Sequence, residues 1–217
     1  MKELRSNDFP LNEDLQLQPT KTFFIHHEGV SGLSKTTLIY DITAIIPSQL
    51  DINSKELANT IHSETKTKLE KQPVALKLQR SAWYSNSMSV RDGNDNAVAS
   101  LSTSLLSFSR WTLSFPAGSP HSTHAIEMRP TGIGTRADIF VKESVPFFWE
   151  MFNGPAGGRI DKLFKVVDGK RVEVARFVAK HMRDREGALF LDEALVDEVV
   201  AGVTCVAVLN RLDSFRK

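Results

Sequence analysis

The sequence predicts a mainly β protein. It reads as a closed antiparallel barrel of about twelve strands around a buried hydrophobic C-terminal helix, with one amphipathic helix on the surface. Three observations predict this. About ten to twelve short β-type runs recur at the spacing of a sandwich or barrel. No strand–helix–strand alternation occurs, which argues against a nucleotide-binding α/β fold. Between Ala194 and Leu209, twelve of sixteen residues are apolar, and they cover all sides of a helical wheel, as in a helix buried all round. A barrel reconciles the strands with the helix, because closure removes open edges and leaves an interior to fill.

Composition sets the frame. The 217 residues suit one large domain, and 41% apolar with 24% charged excludes disorder of the whole chain. Lys and Arg exceed Asp and Glu by 27 to 26, so no global field recruits nucleic acid. One cysteine excludes a disulfide framework, a Cys-rich zinc site and an iron–sulfur cluster. The first eight residues hold no apolar segment, so no secretory signal is expected. With a single free thiol this points to a reducing, cytoplasmic setting.

In chain order, residues 1–21 are polar, punctuated by Pro10 and Pro19, and read as an irregular arm; residues 22–217 read as one domain. Thr22 to His26 is a strand. From Thr36 to Ile46, alternation puts Leu38, Tyr40, Ile42, Ala44 and Ile46 on one face. Residues 54–71 read as an amphipathic helix, with Asn53 capping, Glu56 reaching back, and Leu57, Ile61 and Leu69 at multiples of four. Strands resume at Val74–Leu78. Met88–Val90 and Ala97–Leu101 flank a turn at 92–96. Alternation around Trp111–Phe115 and Ile126–Met128 gives further strands, and Asp138–Glu150 gives two runs broken near Pro146. Asp168-Gly169 between Leu163–Val167 and Arg171–Ala179 is the strongest hairpin signal, since its turn needs positive φ twice. The final helix spans 192–213, with Asp192 and Glu193 at its positive end and Arg211 at the other. Six valines would also suit strand, but so long a run without a turn is poor as one strand. A membrane span would need about 20 apolar residues.

The order of many antiparallel strands and one late apolar helix resembles the tubby C-terminal superfamily, which includes tubby proteins, phospholipid scramblases, plant LURP-one-related proteins and uncharacterised fungal proteins. The resemblance runs over residues 22–213. It is carried by Met88 to Leu101, by Phe140-Val141 followed by Phe148-Trp149, by Asp168-Gly169-Lys170 leading into Val174-Ala175-Arg176-Phe177, and by Gly187-Ala188-Leu189 before the helix. It implies a twelve-stranded barrel around a central helix. It also implies phosphoinositide binding through basic residues on the barrel surface, or action at membranes. No position here matches the family's Lys/Arg pair or calcium segment, so the resemblance brings no site residues.

The residues themselves offer one site. From Arg159 to Arg185 there are nine Lys/Arg and four Asp/Glu, a local excess of five positive charges. Its densest part gives the candidate ligand-binding residues Arg176, Lys180, Arg183 and Arg185. Four such residues near an anionic leaflet supply about 4 kcal/mol, millimolar-class binding unless a formed pocket adds to it. The remaining motifs read as structure. His121 and His124 lack further metal ligands nearby. Residues 92–96 begin like an EF-hand, but Ala97 and Thr103 replace its glycine and final acid. Cys205 and the tryptophans Trp83, Trp111 and Trp149 read as core. No catalytic constellation, metal site or cofactor motif is present. The expected partner is an anionic phospholipid or a membrane surface, with no nucleic acid. The alternative is a protein-interaction scaffold that docks through the arm and the 54–71 helix.

Overall fold

The computed structural model describes residues 4–28, 36–47, 51–54, 56–65, 67–80, 85, 87–104, 107–132, 136–182 and 184–214. Among these, twelve strands close into a single antiparallel barrel. They are β1 (Lys21–Glu28), β2 (Thr36–Asp41), β3 (Val74–Arg80), β4 (Ser87–Asp92), β5 (Ala97–Ser104), β6 (Ser107–Ser114), β7 (Ile126–Pro130), β8 (Ala137–Lys142), β9 (Val145–Asn153), β10 (Arg159–Val167), β11 (Lys170–Ala179) and β12 (Gly187–Leu191). Their order around the ring is their order in the chain, and β1 closes it by pairing Phe23 with Leu189 and Phe24 with Ala188 on β12. Gly187 permits the close pairing of β12 with β11: a Cβ there would meet the Val178 carbonyl oxygen at 2.3 Å.

The turns follow local chemistry. Asp168 and Gly169 take φ 50° and 74° and join β10 to β11, as the Asp-Gly pair predicts. The break expected near Pro146 lies at Glu143 and Ser144, with φ 50° and 65°, while Pro146 sits within β9 opposite Val141. Glu and Ser seldom adopt positive φ, so the sequence offered proline as the visible breaker. In the second strand the alternation stops at Asp41. The Asp41 carboxylate accepts the Thr43 N–H, and Thr43–Ile45 curls into a 3₁₀ turn. The face assignment also shifts: Ile39 joins the main core, and Ile42 packs in an outer cluster.

All twelve strands contribute to one buried cluster, together with Val199, Val200, Val203, Cys205 and Val206 of α2 (Glu198–Ser214). The helix starts six residues later than its expected Asp192 cap. Asp192 instead closes a separate turn, accepting the N–H groups of Ala194, Leu195 and Val196. Asp197 caps the helix by accepting from Val200 N at 3.0 Å. His121 supports that cap, its Nδ1 standing 3.0 Å from Asp197 Oδ2. Trp149 Nε1 on β9 donates to Thr204 Oγ1 at 3.0 Å. At Gly202 a Cβ would lie 3.3 Å from Ile39 and 3.4 Å from Leu76, on β2 and β3. Trp111 and Trp149 are buried as expected, and Trp83 lies outside the described residues. Among the described residues, no helix is long and apolar enough to cross a membrane.

Outside the barrel, α1 (Leu57–Thr65) buries Leu57 and Ile61 against Phe24, Val178, Ala188 and Phe190. It is shorter than the expected 54–71, ending at Thr65 before a 3₁₀ turn at Leu69–Lys71. Asn53 does not cap it, because its Oδ1 accepts from Arg176; Ser54 Oγ takes the Glu56 N–H instead. The N-terminal arm is anchored at two places. Arg171 donates to the Phe9 carbonyl, and its N–H to that of Pro10, while Phe9 packs on Phe148 at 5.8 Å. Farther on, Leu17 is buried beside Phe190, and Thr20 N donates to the Leu191 carbonyl.

Candidate functional site

The basic run from Arg159 to Arg185 does not form one surface patch. On a strand, successive residues face opposite ways, and carboxylates from the same or neighbouring strands meet four of the cations. Arg159 is 1% exposed; its Nε donates to Asp161 Oδ1 at 3.1 Å, and its Nη2 stands 2.5 Å from Oδ2. Arg171 pairs with Glu150 of β9. Lys165 donates to the Leu195 carbonyl at 3.0 Å. Lys162 and Arg176 share Glu173: Lys162 Nζ reaches Oε2 at 3.0 Å, while Arg176 Nε and Nη2 fork onto Oε1 and Oε2 at 2.6 and 3.0 Å. Arg176 Nη1 also donates to the Ile52 carbonyl and to Asn53 Oδ1.

A β-bulge makes this triad possible. Three residues apart on a regular strand, Glu173 and Arg176 would point to opposite faces. Between β10 and β11 the register shifts: Leu163 pairs with Ala175 and Phe164 with Glu173, leaving Val174 as the extra residue. From there onward the parity is reversed. Val174 and Ala175 both join the core, and Glu173 and Arg176 share the outer face with Lys162, the cross-strand neighbour of Arg176.

Among the described residues, clefts border this region on several sides. The largest, of about 890 Å³, lies beneath the N-terminal arm, with Lys162, Glu173 and Arg176 on its floor. A small one of about 180 Å³ lies between residues 52–54 and 57–58 on one side and β10–β11 on the other, and Arg159 and Arg176 both line it. The third, of about 370 Å³, opens between α1 and the β11–β12 connection and is lined by Lys180, Arg185, His62 and His181.

The four candidate residues are therefore divided. Lys180 and Arg185 share the 370 Å³ cleft. Arg176 is 6% exposed and committed to the Glu173 triad. It sits four residues before Lys180, about 13 Å along the strand. Arg183 lies outside the described residues. Two carboxylates also line the 370 Å³ cleft. Asp184 accepts the His181 N–H at 2.9 Å, and Glu186 stands 2.9 Å from His26 Nδ1. His181 belongs to the dense basic run in the sequence though not to the four candidate residues, and His62 escapes sequence reasoning because α1 lies far from that run in the chain.

Two buried ion pairs involve α2 or its neighbours. Arg211 Nη2 meets Asp138 Oδ2 at 2.8 Å, with both side chains 3% exposed or less. Burial pushes the Asp138 carboxyl up to about 6; Arg211 pulls it down, and Asp161 adds a like charge. Burial likewise raises Asp161 against the pull of Arg159. The Cys205 thiol is fully buried and driven well above its ordinary value by desolvation, which holds it as the unreactive thiol. Among the described residues, no group of three or more His, Cys, Asp or Glu side chains is placed to hold a metal. The apolar stripe of α1 is covered by its own barrel, so it offers no docking surface to a partner. Comparison of the chain with family models, curated proteins and solved structures finds no match.

Proposed function

We propose that this protein is a non-catalytic binding module for anionic phosphorylated lipid head groups, of the phosphoinositide kind, and that it works at the cytoplasmic side of a membrane. One observation carries the reading: Lys180, Arg185, His62 and His181, drawn from two separated parts of the chain, line a single cleft of about 370 Å³. That volume lies within the range of about 300–1,000 Å³ for ligand pockets. Of the two acidic side chains there, Asp184 accepts a backbone N–H and Glu186 faces His26, so each has a partner besides the basic groups.

The resemblance to the tubby superfamily supports the same reading through element order: twelve antiparallel strands in a closed ring, then one apolar helix. We read α2 as running through the barrel lumen. In support, the helix approaches Ile39 and Leu76 on β2 and β3 and also bonds Trp149 on β9. In the ring order those strands stand on opposite walls, and a helix that meets both at once lies between them.

Vesicle sedimentation tests the function. Phosphatidylcholine vesicles carrying phosphatidylinositol 4,5-bisphosphate should pull down the protein in a salt-sensitive way, and plain phosphatidylcholine vesicles should not. Basic residues near an anionic surface contribute about 1 kcal/mol each, so the Lys180→Ala/Arg185→Ala variant should bind about 30-fold more weakly. Absence of binding, or binding indifferent to both the variant and salt, would sink the reading.

A further inference from the structure

We propose that the 890 Å³ cleft beneath the N-terminal arm is a second binding site, and that it takes a carboxylate-headed amphiphile with an apolar body. The site is independent of the α1 cleft. Its size is that of a ligand pocket. Its floor is an ion triad in which the cations Lys162 and Arg176 share the Glu173 carboxylate, while Glu150, paired with Arg171, lies opposite Lys162 across the β9–β10 pair. Arg176 is largely saturated by Glu173, Ile52 and Asn53. Lys162 is not; an ammonium has three N–H donors, one reaches Glu173, and its side chain is 28% exposed. Lys162 thus keeps donors that Glu173 does not take, and with Asp51 and Glu13 also in the lining the cleft suits a singly charged carboxylate better than a multiply charged phosphate.

The rest of the cleft suits an apolar body. Phe190, Ile46 and Ile52 line it from the barrel side, and Leu11, Leu15 and Leu17 line it from the arm. Leu17 is buried, but Leu11 and Leu15 remain 48% and 52% exposed, the most exposed large apolar side chains of the described residues. Two other carboxylates belong to the lining. Asp51 accepts the Asn53 N–H at 2.8 Å, and Glu13 is exposed on the arm. The arm itself is held at Phe9–Asn12 and again at Leu17–Thr20, and residues 13–16 between those anchors are exposed and span the opening. A bound chain would extend under that span, with its head at Lys162 and its body against the leucines.

Titration calorimetry of the full chain with sodium decanoate below its micellar concentration tests this, with decan-1-ol as the uncharged match. Saturable one-to-one binding of decanoate is expected, with decanol weaker by about tenfold, the order of one charge-assisted hydrogen bond. Lys162→Met leaves the Glu173–Arg176 fork in place, so it should keep the native melting transition while weakening decanoate by about tenfold. Leu15→Glu, on the exposed span, should weaken it comparably by setting a like charge over the cleft. No saturable binding, equal affinity for decanol, or indifference to either variant would overturn the assignment. So would a loss of binding in Lys180→Ala with Lys162→Met unaffected, which would move the ligand to the α1 cleft.

Discussion

Replacing Arg211 with methionine is expected to destabilise the protein by about 3–5 kcal/mol at pH 7.5, because it leaves the Asp138 carboxylate buried without its cation. The pair stands at 2.8 Å with both side chains 3% exposed or less, and the other carboxylate oxygen, Oδ1, has no hydrogen-bond partner among the described residues. Burial outweighs Arg211 even in the wild type, so the folded Asp138 carboxyl titrates near 6 instead of its ordinary 3.8. Between those values the folded state holds more protons than the unfolded chain. This group's contribution therefore falls as pH rises from about 4 to about 6, by about 3 kcal/mol, and is constant above. Without Arg211 the titration moves higher still. Urea denaturation at pH 7.5 and pH 5 should thus find a large deficit in Arg211→Met at the higher pH and a smaller one at the lower. Arg211→Met/Asp138→Leu, with no charge left to desolvate, should recover most of it. A deficit that does not shrink on acidification would mean that the carboxylate is not what the arginine neutralises.

Trp149→Ala should cost about 3–5 kcal/mol, the range for deleting a large aromatic side chain from a packed core. Trp149 is 1% exposed on β9, in the cluster that contains α2, and its Nε1 donates across to Thr204 Oγ1. Thr204 also gives its own proton to the Val200 carbonyl at 2.7 Å, so the tryptophan fills the acceptor side of a hydroxyl already engaged as donor. Trp149→Phe, which keeps most of the packing and loses that bond, should cost only about 1 kcal/mol plus a small packing loss. Urea melts of the two variants, with unchanged slopes, separate packing from hydrogen bonding. Equal and small costs would mean that the indole does not fasten strand to helix.

What could be read from the sequence was what local chemistry decides. Asp168-Gly169 named its hairpin because few other pairs accept positive φ twice, and the valine-rich stretch to Leu209 named a buried helix because no face of it is polar. Long-range effects were hidden. Closure of β1 on β12 pairs Phe23 with Leu189, partners at opposite ends of the chain that no local pattern signals. The excess of charge between Arg159 and Arg185 suggested a basic surface, yet Glu150 from β9 and the in-segment acids Asp161 and Glu173 meet four of those cations. The bulge at Val174 was equally invisible. It inserts one residue and so brings Glu173 onto the same face as Arg176 and Lys162, which commits Arg176 to that triad, about 13 Å along the strand from the cleft that Lys180 and Arg185 share. Asp192 and Asp197 are both competent caps five residues apart, and only the His121 contact and the turn at 192–196 show which one starts the helix.

The central claim is that α2 occupies the interior of the barrel. Cys205 reports on it directly, since it is the chain's one cysteine, lies within that helix and is fully buried. Native-state thiol labelling with iodoacetamide, followed by mass spectrometry, measures how often the site opens. The account predicts that Cys205 reacts no faster than the whole barrel unfolds, and that labelling accelerates in step with global unfolding as urea is added. Full modification within minutes in native buffer, at the rate of a free thiol, would contradict it.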